Sequence, residues 1–478
     1  MVVDAAAIAP YIGGKHGSSV SHHFSHLRIM LPRPIAGLQR IVLLSLVSFA
    51  VPAAADGQAP ADLALARYIN GIRAIDEHAH PMRPVPTGSA PDTDFDALPL
   101  DGIPGFSLPV RISGDDPIWR TAQNALYGVR RELAGTAYHN ALKNATAAAM
   151  RAHGQNFPQW ALDRAGIDVM LANRIALGPG LAAPRFRWVA FADPLILPLD
   201  NSAEATRTPD TRPLYPRETK LLQRYLHDLG IGRLPAVLDD YVRAIVVPTL
   251  VRQRAAGAVG IKFEAAYLRP LDFDDPDVAG AQRVYARYVN GGVPSRVDYK
   301  TLQDYLFRAI VREAGRQGLG VQIHVLETFG GFYSASGSAP HLLEPAFNDS
   351  TLRRTKFVIV HGGWPLIGET QALLSKPNVY ADISMMDDIL SPTVLAGVLR
   401  QWLGEWPEKV LFGTDAFDGG PEQGWEQVAW VGSTTARRAL TLALTGMMRD
   451  GEITRDRAQQ LARMVLRENA AKVYGLPK

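Results

Sequence analysis

The chain has 478 residues, 47% hydrophobic and 20% charged, with a net charge of +3; this excludes a disordered polyelectrolyte and leaves ample apolar material for a core. It has no cysteine, which excludes a disulfide framework and thiolate ligands, so any metal would be held by nitrogen and oxygen. The 50 basic and 47 acidic side chains suggest no nucleic-acid surface.

In chain order, the first pattern is a targeting signal. Arg33 and Arg40 precede the uncharged apolar run from Ile41 to Val51, and Ala53, Ala54 and Ala55 offer a small-residue cleavage site. Residues 30–55 therefore read as a secretory signal peptide, and the run falls short of the roughly 20 apolar residues of a spanning helix. Met30 is a natural start, which makes residues 1–29, with His16, His22, His23 and His26, an upstream disordered extension. Loss of residues 1–55 would remove Lys15, Arg28, Arg33 and Arg40 but only Asp4, so the basic excess belongs to this segment. A periplasmic or secreted protein is expected, without stable membrane insertion after cleavage.

Residues 62–478 read as a single domain in which short β-branched runs alternate with helical patterns, as repeated βα units require. Strands are expected at 72–76, 168–171, 187–191, 259–263, 321–324, 357–361, 379–383 and 410–412. Eight is the count of a (β/α)8 TIM-like barrel. Helices are expected at 117–133, 137–153, 234–254, 299–317, 392–403 and 436–448, with a closing helix at 455–474 followed by Gly475 and Pro477. Two connections, about 81–165 and 192–257, are long enough to be helical insertions capping the C-terminal face of the strands.

That face is where chemistry would sit. His78 and His80 flank Ala79 at the end of the first strand, where alternation directs both imidazoles to one side. His324 ends the fifth strand, His361 the sixth, and Asp415 follows the eighth. In a barrel all five face one cavity.

The order His-x-His, lysine on the fourth strand, histidine on the fifth and sixth, and aspartate after the eighth resembles the amidohydrolase superfamily. The phrases Val360-His361-Gly362-Gly363-Trp364-Pro365, Asn378 to Ser384, and Leu411-Phe412-Gly413-Thr414-Asp415-Ala416 are similar to its amidohydrolase-related (amidohydrolase 2) branch, over roughly residues 70–475. Gly260-Ile261-Lys262 followed by Ala266 to Leu271 is closest to the module found fused to glutamine-synthetase-like domains, for which this chain has no room. The resemblance implies a divalent metal, preferably Zn2+, bound by His78, His80, His324 and Asp415, with His361 and Asp415 as catalytic acid/base groups. The metal would acidify a water and polarise a carbonyl.

Lys262 leaves two readings open. Its ammonium could face a substrate carboxylate or an acid such as Glu264, which is also open to a surface position beyond the rim. A carboxylated Lys262 would instead bridge two ions, with His324 and His361 on the second; one ion is the preferred count. Tyr267, Arg269, Glu327 and Trp364 are further expected substrate contacts, Arg269 as a bidentate carboxylate clamp or else a structural ion pair. Asp382 and Ser384 would orient a histidine, or cap a helix. The expected activity is hydrolysis of a C–N (amide-like) or related bond in a small, carboxylate-bearing molecule. The alternatives are a nonoxidative decarboxylase on the same scaffold and a noncatalytic metal-binding barrel or assembly protein. Self-association into a homo-oligomer is compatible with all three.

Overall fold

The computed structural model describes residues 61–85, 88–98, 109–114, 116–206, 210–326, 333–420 and 422–477. The expected extension, the signal segment and Glu327 lie outside the described residues. Eight strands, β1 (Ala74–Ala79), β2 (Ile167–Asn173), β3 (Phe186–Phe191), β4 (Ala258–Phe263), β5 (Gly320–His324), β6 (Lys356–Val360), β7 (Val379–Asp382) and β8 (Val410–Leu411), follow one another in sequence and in space. Every neighbouring pair is parallel. Such strands are buried on both faces, which is why they read as continuous apolar runs.

The ends of the sheet meet. Glu77 N–H donates to the Phe412 carbonyl at 3.0 Å, Asp415 N–H to the His78 carbonyl at 2.8 Å, and His80 N–H to the Ala416 carbonyl at 2.8 Å. These bonds complete a nearly closed (β/α)8 barrel. All eight expected strands appear; the first is displaced, because Gly71 ends the helix Leu63–Gly71 and delays pairing to Ala74. The register of β1 against β2 shifts between Asp76 and Ala79, so Glu77 and His78 both reach Gln322 inside the barrel. Strict alternation fails at this bulge.

The floor of the barrel is apolar. Ile75, Leu171, Val189, Val259, Val358, Tyr380 and Leu411 pack on Ala470, Ala471, Val473 and Tyr474 from the last helix, Asn469–Tyr474. The Tyr474 hydroxyl donates to Glu77 Oε2 at 2.5 Å and accepts from Gln322 Nε2 at 3.0 Å, so its ring is fixed. Gly320 leaves room for that ring: a Cβ there would lie 2.5 Å from Tyr474 Cε1. Gly320→Ala is expected to lower unfolding stability by about 1–3 kcal/mol, as overpacking does. Denaturant titration checks it, and an unchanged midpoint would disprove the fixed ring.

Helices surround the strands. Arg296–Gln317 is capped by Ser295, whose hydroxyl accepts from Asp298 N–H, and ends at Gly318 with φ 72°. Pro392–Glu405 is capped by Ser391 in the same way. The helix expected at 117–133 stops at Tyr127, where Gly128 turns left-handed at φ 71°. That at 436–448 begins earlier, at Trp425, because its first turns are buried against the first insertion. The closing helix contains a π turn over Met464–Glu468, and the 234–254 helix one over Val242–Val246. Leu214–Asp228 and Val278–Tyr288 are helices that the sequence reading leaves unassigned. No helix among the described residues is long and apolar enough to cross a membrane.

Both insertions touch the C-terminal ends of the strands. Asp92 pairs with Arg174 just past β2, and Asp96 lies 3.1 Å from His80. From the second insertion, the Tyr225 hydroxyl donates to the Phe191 carbonyl at the end of β3.

Candidate metal centre

The polypeptide is strained where the strands open into the mouth. Leu326, His361, Met385 and Asp415 have positive φ values of 51°, 62°, 60° and 49°, and they lie at the exits of β5, β6, β7 and β8 in turn. Such backbone costs of order 1–3 kcal/mol per residue and persists where its surroundings impose it. His361 N–H is held by Asp382 Oδ1 at 2.6 Å. Gly362 follows at φ 57°, where a Cβ would lie 2.6 Å from Trp402 and 3.0 Å from the Asp382 carbonyl, so only glycine fits the turn.

His78 is fully buried. Gln322 Nε2 donates to the Glu77 carbonyl at 2.5 Å, which turns Gln322 Oε1 toward His78 Nδ1 at 3.2 Å. The Asn173 side-chain nitrogen also lies 2.9 Å from His78 Nδ1, so two side-chain amides hold this edge of the ring. Nε2 faces Asp415 Oδ1 at 3.1 Å and Lys262 Nζ at 3.1 Å. His361 Nδ1 lies 3.0 Å from Ser384 Oγ, whose hydroxyl donates to Asp382 Oδ2 at 2.8 Å. Its Nε2 lies 3.9 Å from Asp415 Oδ2 and 3.2 Å from His324 Nδ1. His80 Nε2 is 3.5 Å from Asp415 Oδ1.

Ligand atoms of His78, His361 and Asp415 lie within 4.8 Å of one another. His80 adjoins this group through Asp415, and His324 adjoins it through His361. His361 is thus as central as the expected ligands. Burial pushes the imidazoles of His78, His324 and His361 well below the usual histidine value; neighbouring positive groups add to it at His78 and His324, while the Asp415 charge opposes it at His361. Neutral nitrogens are what a cation needs. His324 Nε2 is buried without a hydrogen-bond partner among the described residues. Neutral imidazoles around a carboxylate, with an orphaned nitrogen beside them, fit a divalent ion.

Asp382 and Ser384 support His361, and neither caps a helix there. Asp76 does the same for the opposite wall, accepting from Thr414 N–H at 3.0 Å and Thr414 Oγ1 at 2.6 Å. Burial raises its carboxyl to about 7. Sequence reasoning missed Gln322, Asn173, Asp76, Asp96, Asp193 and Glu218. Gln322 precedes His324 by two and Asn173 ends β2, so period-two spacing from strand ends would have found both. No local pattern marks Asp96 or Glu218.

The expected substrate contacts divide. Lys262 is buried beside His78, and the Tyr267 ring lies 4.5 Å from that of His324. Trp364 packs partly buried against the hydrophobic core. Arg269 is buried and committed elsewhere: its guanidinium binds Gln303 at 2.9 Å, Asp304 at 3.2 Å and the Pro270 carbonyl at 2.9 Å, and stacks on Phe273. Of the two expected roles, these contacts match the structural ion pair. Glu264 is buried, not on the rim, with its N–H donating to Asp193 Oδ2 at 2.8 Å.

Comparison with known proteins agrees with this architecture. A protein of Lactobacillus casei ATCC 334 described as a "putative metal-dependent hydrolase" superposes with a TM-score of 0.53 at 16% identity, over 86% of this chain and 97% of that one. Glucuronate isomerase from Caulobacter crescentus gives 0.53 at 11% identity, over 87% and 94%. Uronate isomerase from Thermotoga maritima gives 0.52 at 12% identity, over 86% and 96%. These likenesses show a shared fold. In sequence, Protein fluG of Emericella nidulans (strain FGSC A4) is 25% identical over 235 residues, 46% of this chain. The match spans 26% of that protein's length. Residues 226–476, from the end of the helix Leu214–Asp228 to just past the closing helix, match the family described as Amidohydrolase, and with the barrel and its mouth of histidines and aspartate the chain belongs to that family.

Proposed function

We propose that the protein is a metal-dependent hydrolase that cleaves a C–N (amide-like) or related bond of a small molecule, in the periplasm or outside the cell. The observation that carries this reading is the convergence of His78 Nε2, His361 Nε2 and Asp415 within 4.8 Å at the barrel mouth. His78, His80, His361 and Asp415 would hold the ion, preferably Zn2+, with His324 beside them. When bound, the ion supplies Lewis acidity for the scissile carbonyl and lowers the pKa of water.

The side chains do the rest. Asp415 presents a carboxylate to three histidines and is the group placed to accept a proton from the attacking water and return it to the leaving nitrogen. The Ser384–Asp382 line fixes the His361 ring. The Lys262 ammonium, buried at 3.1 Å from His78 Nε2, is a fixed positive end for charge that develops on the carbonyl oxygen. Tyr267 forms an aromatic wall against His324.

The test is product analysis with zinc-loaded protein over a panel of N-acyl amino acids, amides and lactones. Amine or carboxylate release that a chelator suppresses and added Zn2+ restores is expected. Carbon dioxide release without amine would replace hydrolysis by decarboxylation. Stoichiometric metal with no turnover on any class would favour a binding protein.

A further inference from the structure

We propose that His80, Asp96 and Glu264 form a second divalent-cation site, on the face of the His80 ring opposite Asp415. It goes beyond the hydrolytic reading and uses none of His78, His324, His361 or Asp415. One ligand atom of each of the three residues lies within 4.8 Å of the other two.

The geometry of His80 is the starting point. Its Nε2 faces Asp415, so Nδ1 faces away, and Nδ1 lies 3.1 Å from Asp96 Oδ2. At that separation a histidine and a carboxylate would ordinarily share a proton. Here Nδ1 makes no hydrogen bond, because the ring nitrogen does not point along the line to the oxygen. Two ligand atoms about 3 Å apart have the spacing of an edge of a coordination polyhedron with bonds of about 2.1 Å.

Glu264 supplies the second observation. It is 4% exposed, and its Oε2 has no hydrogen-bond partner among the described residues. A buried carboxylate oxygen left in this way is costly unless a cation or a proton meets it. Asp193, 1% exposed, accepts the Glu264 N–H and so sets the backbone from which that carboxylate projects. Glu218, fully buried on the helix Leu214–Asp228, has both carboxylate oxygens without a hydrogen-bond partner among the described residues. The Asp96 side chain is 13% exposed, which provides an approach from solvent.

One nitrogen and two carboxylates suit Zn2+ or Mn2+. Binding at Nδ1 displaces its proton to solvent. If both sites are filled, His80 bridges them as an imidazolate. The ion would clip residues 88–98 of the first insertion onto the end of β4, where Asp92 and Arg174 already tie the same segment to β2.

The full chain, dialysed against buffered Zn2+ and analysed by elemental mass spectrometry, tests this directly. The wild type should hold two ions per chain; Glu264→Gln and Asp96→Asn should each hold one, with wild-type circular dichroism. A His78→Ala/Asp415→Asn double variant should keep the Asp96-dependent ion. If Glu264→Gln and Asp96→Asn both bind as the wild type does, the site is refuted; so it is if a second ion depends on His324 and not on Glu264. Loss of turnover without change in the Asp96-dependent ion concerns the hydrolytic reading alone.

Discussion

Asp415→Asn is expected to reduce kcat/KM by about 10³-fold while leaving the fold intact, since losing a positioned proton-transfer group costs 10²–10⁴-fold. The substitution keeps the shape of the side chain and removes its charge. Asparagine tolerates the left-handed region at least as well as aspartate, so the backbone at φ 49° and the N–H bond to the His78 carbonyl survive. What is lost is the anion facing His78, His80 and His361. Zinc occupancy should fall together with activity, and thermal unfolding should stay close to the wild type. Activity within tenfold of the wild type would remove Asp415 from the proposed chemistry.

Arg174→Met should destabilise the protein by about 3 kcal/mol, the lower end of the cost of breaking a buried ion pair. Both partner side chains, Arg174 and Asp92, are fully buried. Arg174 also donates to the Pro81 carbonyl at 2.6 Å and the Ala176 carbonyl at 3.0 Å. Methionine fills the volume but leaves these oxygens unpaired. The estimate sits at the lower end because Arg83 still reaches Asp92 through its N–H and its Nε.

The acid limb carries a second signature. Burial alone would raise the Asp92 carboxyl, but the bonds and charges of Arg174 and Arg83 outweigh it and hold the group below 3.8. A carboxylate depressed in the folded state contributes stability above its ordinary value and loses it as pH falls through the lowered one. The variant should therefore lose less stability on acidification than the wild type. Denaturant midpoints across that range measure both effects, and an equal acid dependence would contradict the assignment.

Strand order and the residues at strand ends were legible because each depends on a short stretch of chain. A buried parallel strand must be an apolar run, and the residue that ends it must enter the mouth. His324, His361 and Asp415 follow from that rule, and so does Gln322 once period two is applied. His78 was located correctly for an incomplete reason: the bulge in β1 brings Glu77 inward beside it, which alternation forbids. Arg269 shows the opposite outcome. Its place after β4 left a substrate clamp and a structural ion pair equally open, and it is Asp304, from a helix that begins 27 residues later in the chain, that pairs with it.

By itself the sequence determined the eight parallel strands, the closing helix and the ring of histidines with Asp415, because periodicity and strand-end position are local properties. Only the tertiary structure decided how the rings are held, since Gln322 and Asn173 reach His78, and Ser384, itself bound to Asp382, reaches His361 from across the barrel. It also brought Asp96 and Glu218 from the two insertions against His80 and Glu264. Contacts between residues more than a hundred positions apart are set by how the connections pack over the mouth, and no short pattern in the chain encodes that packing.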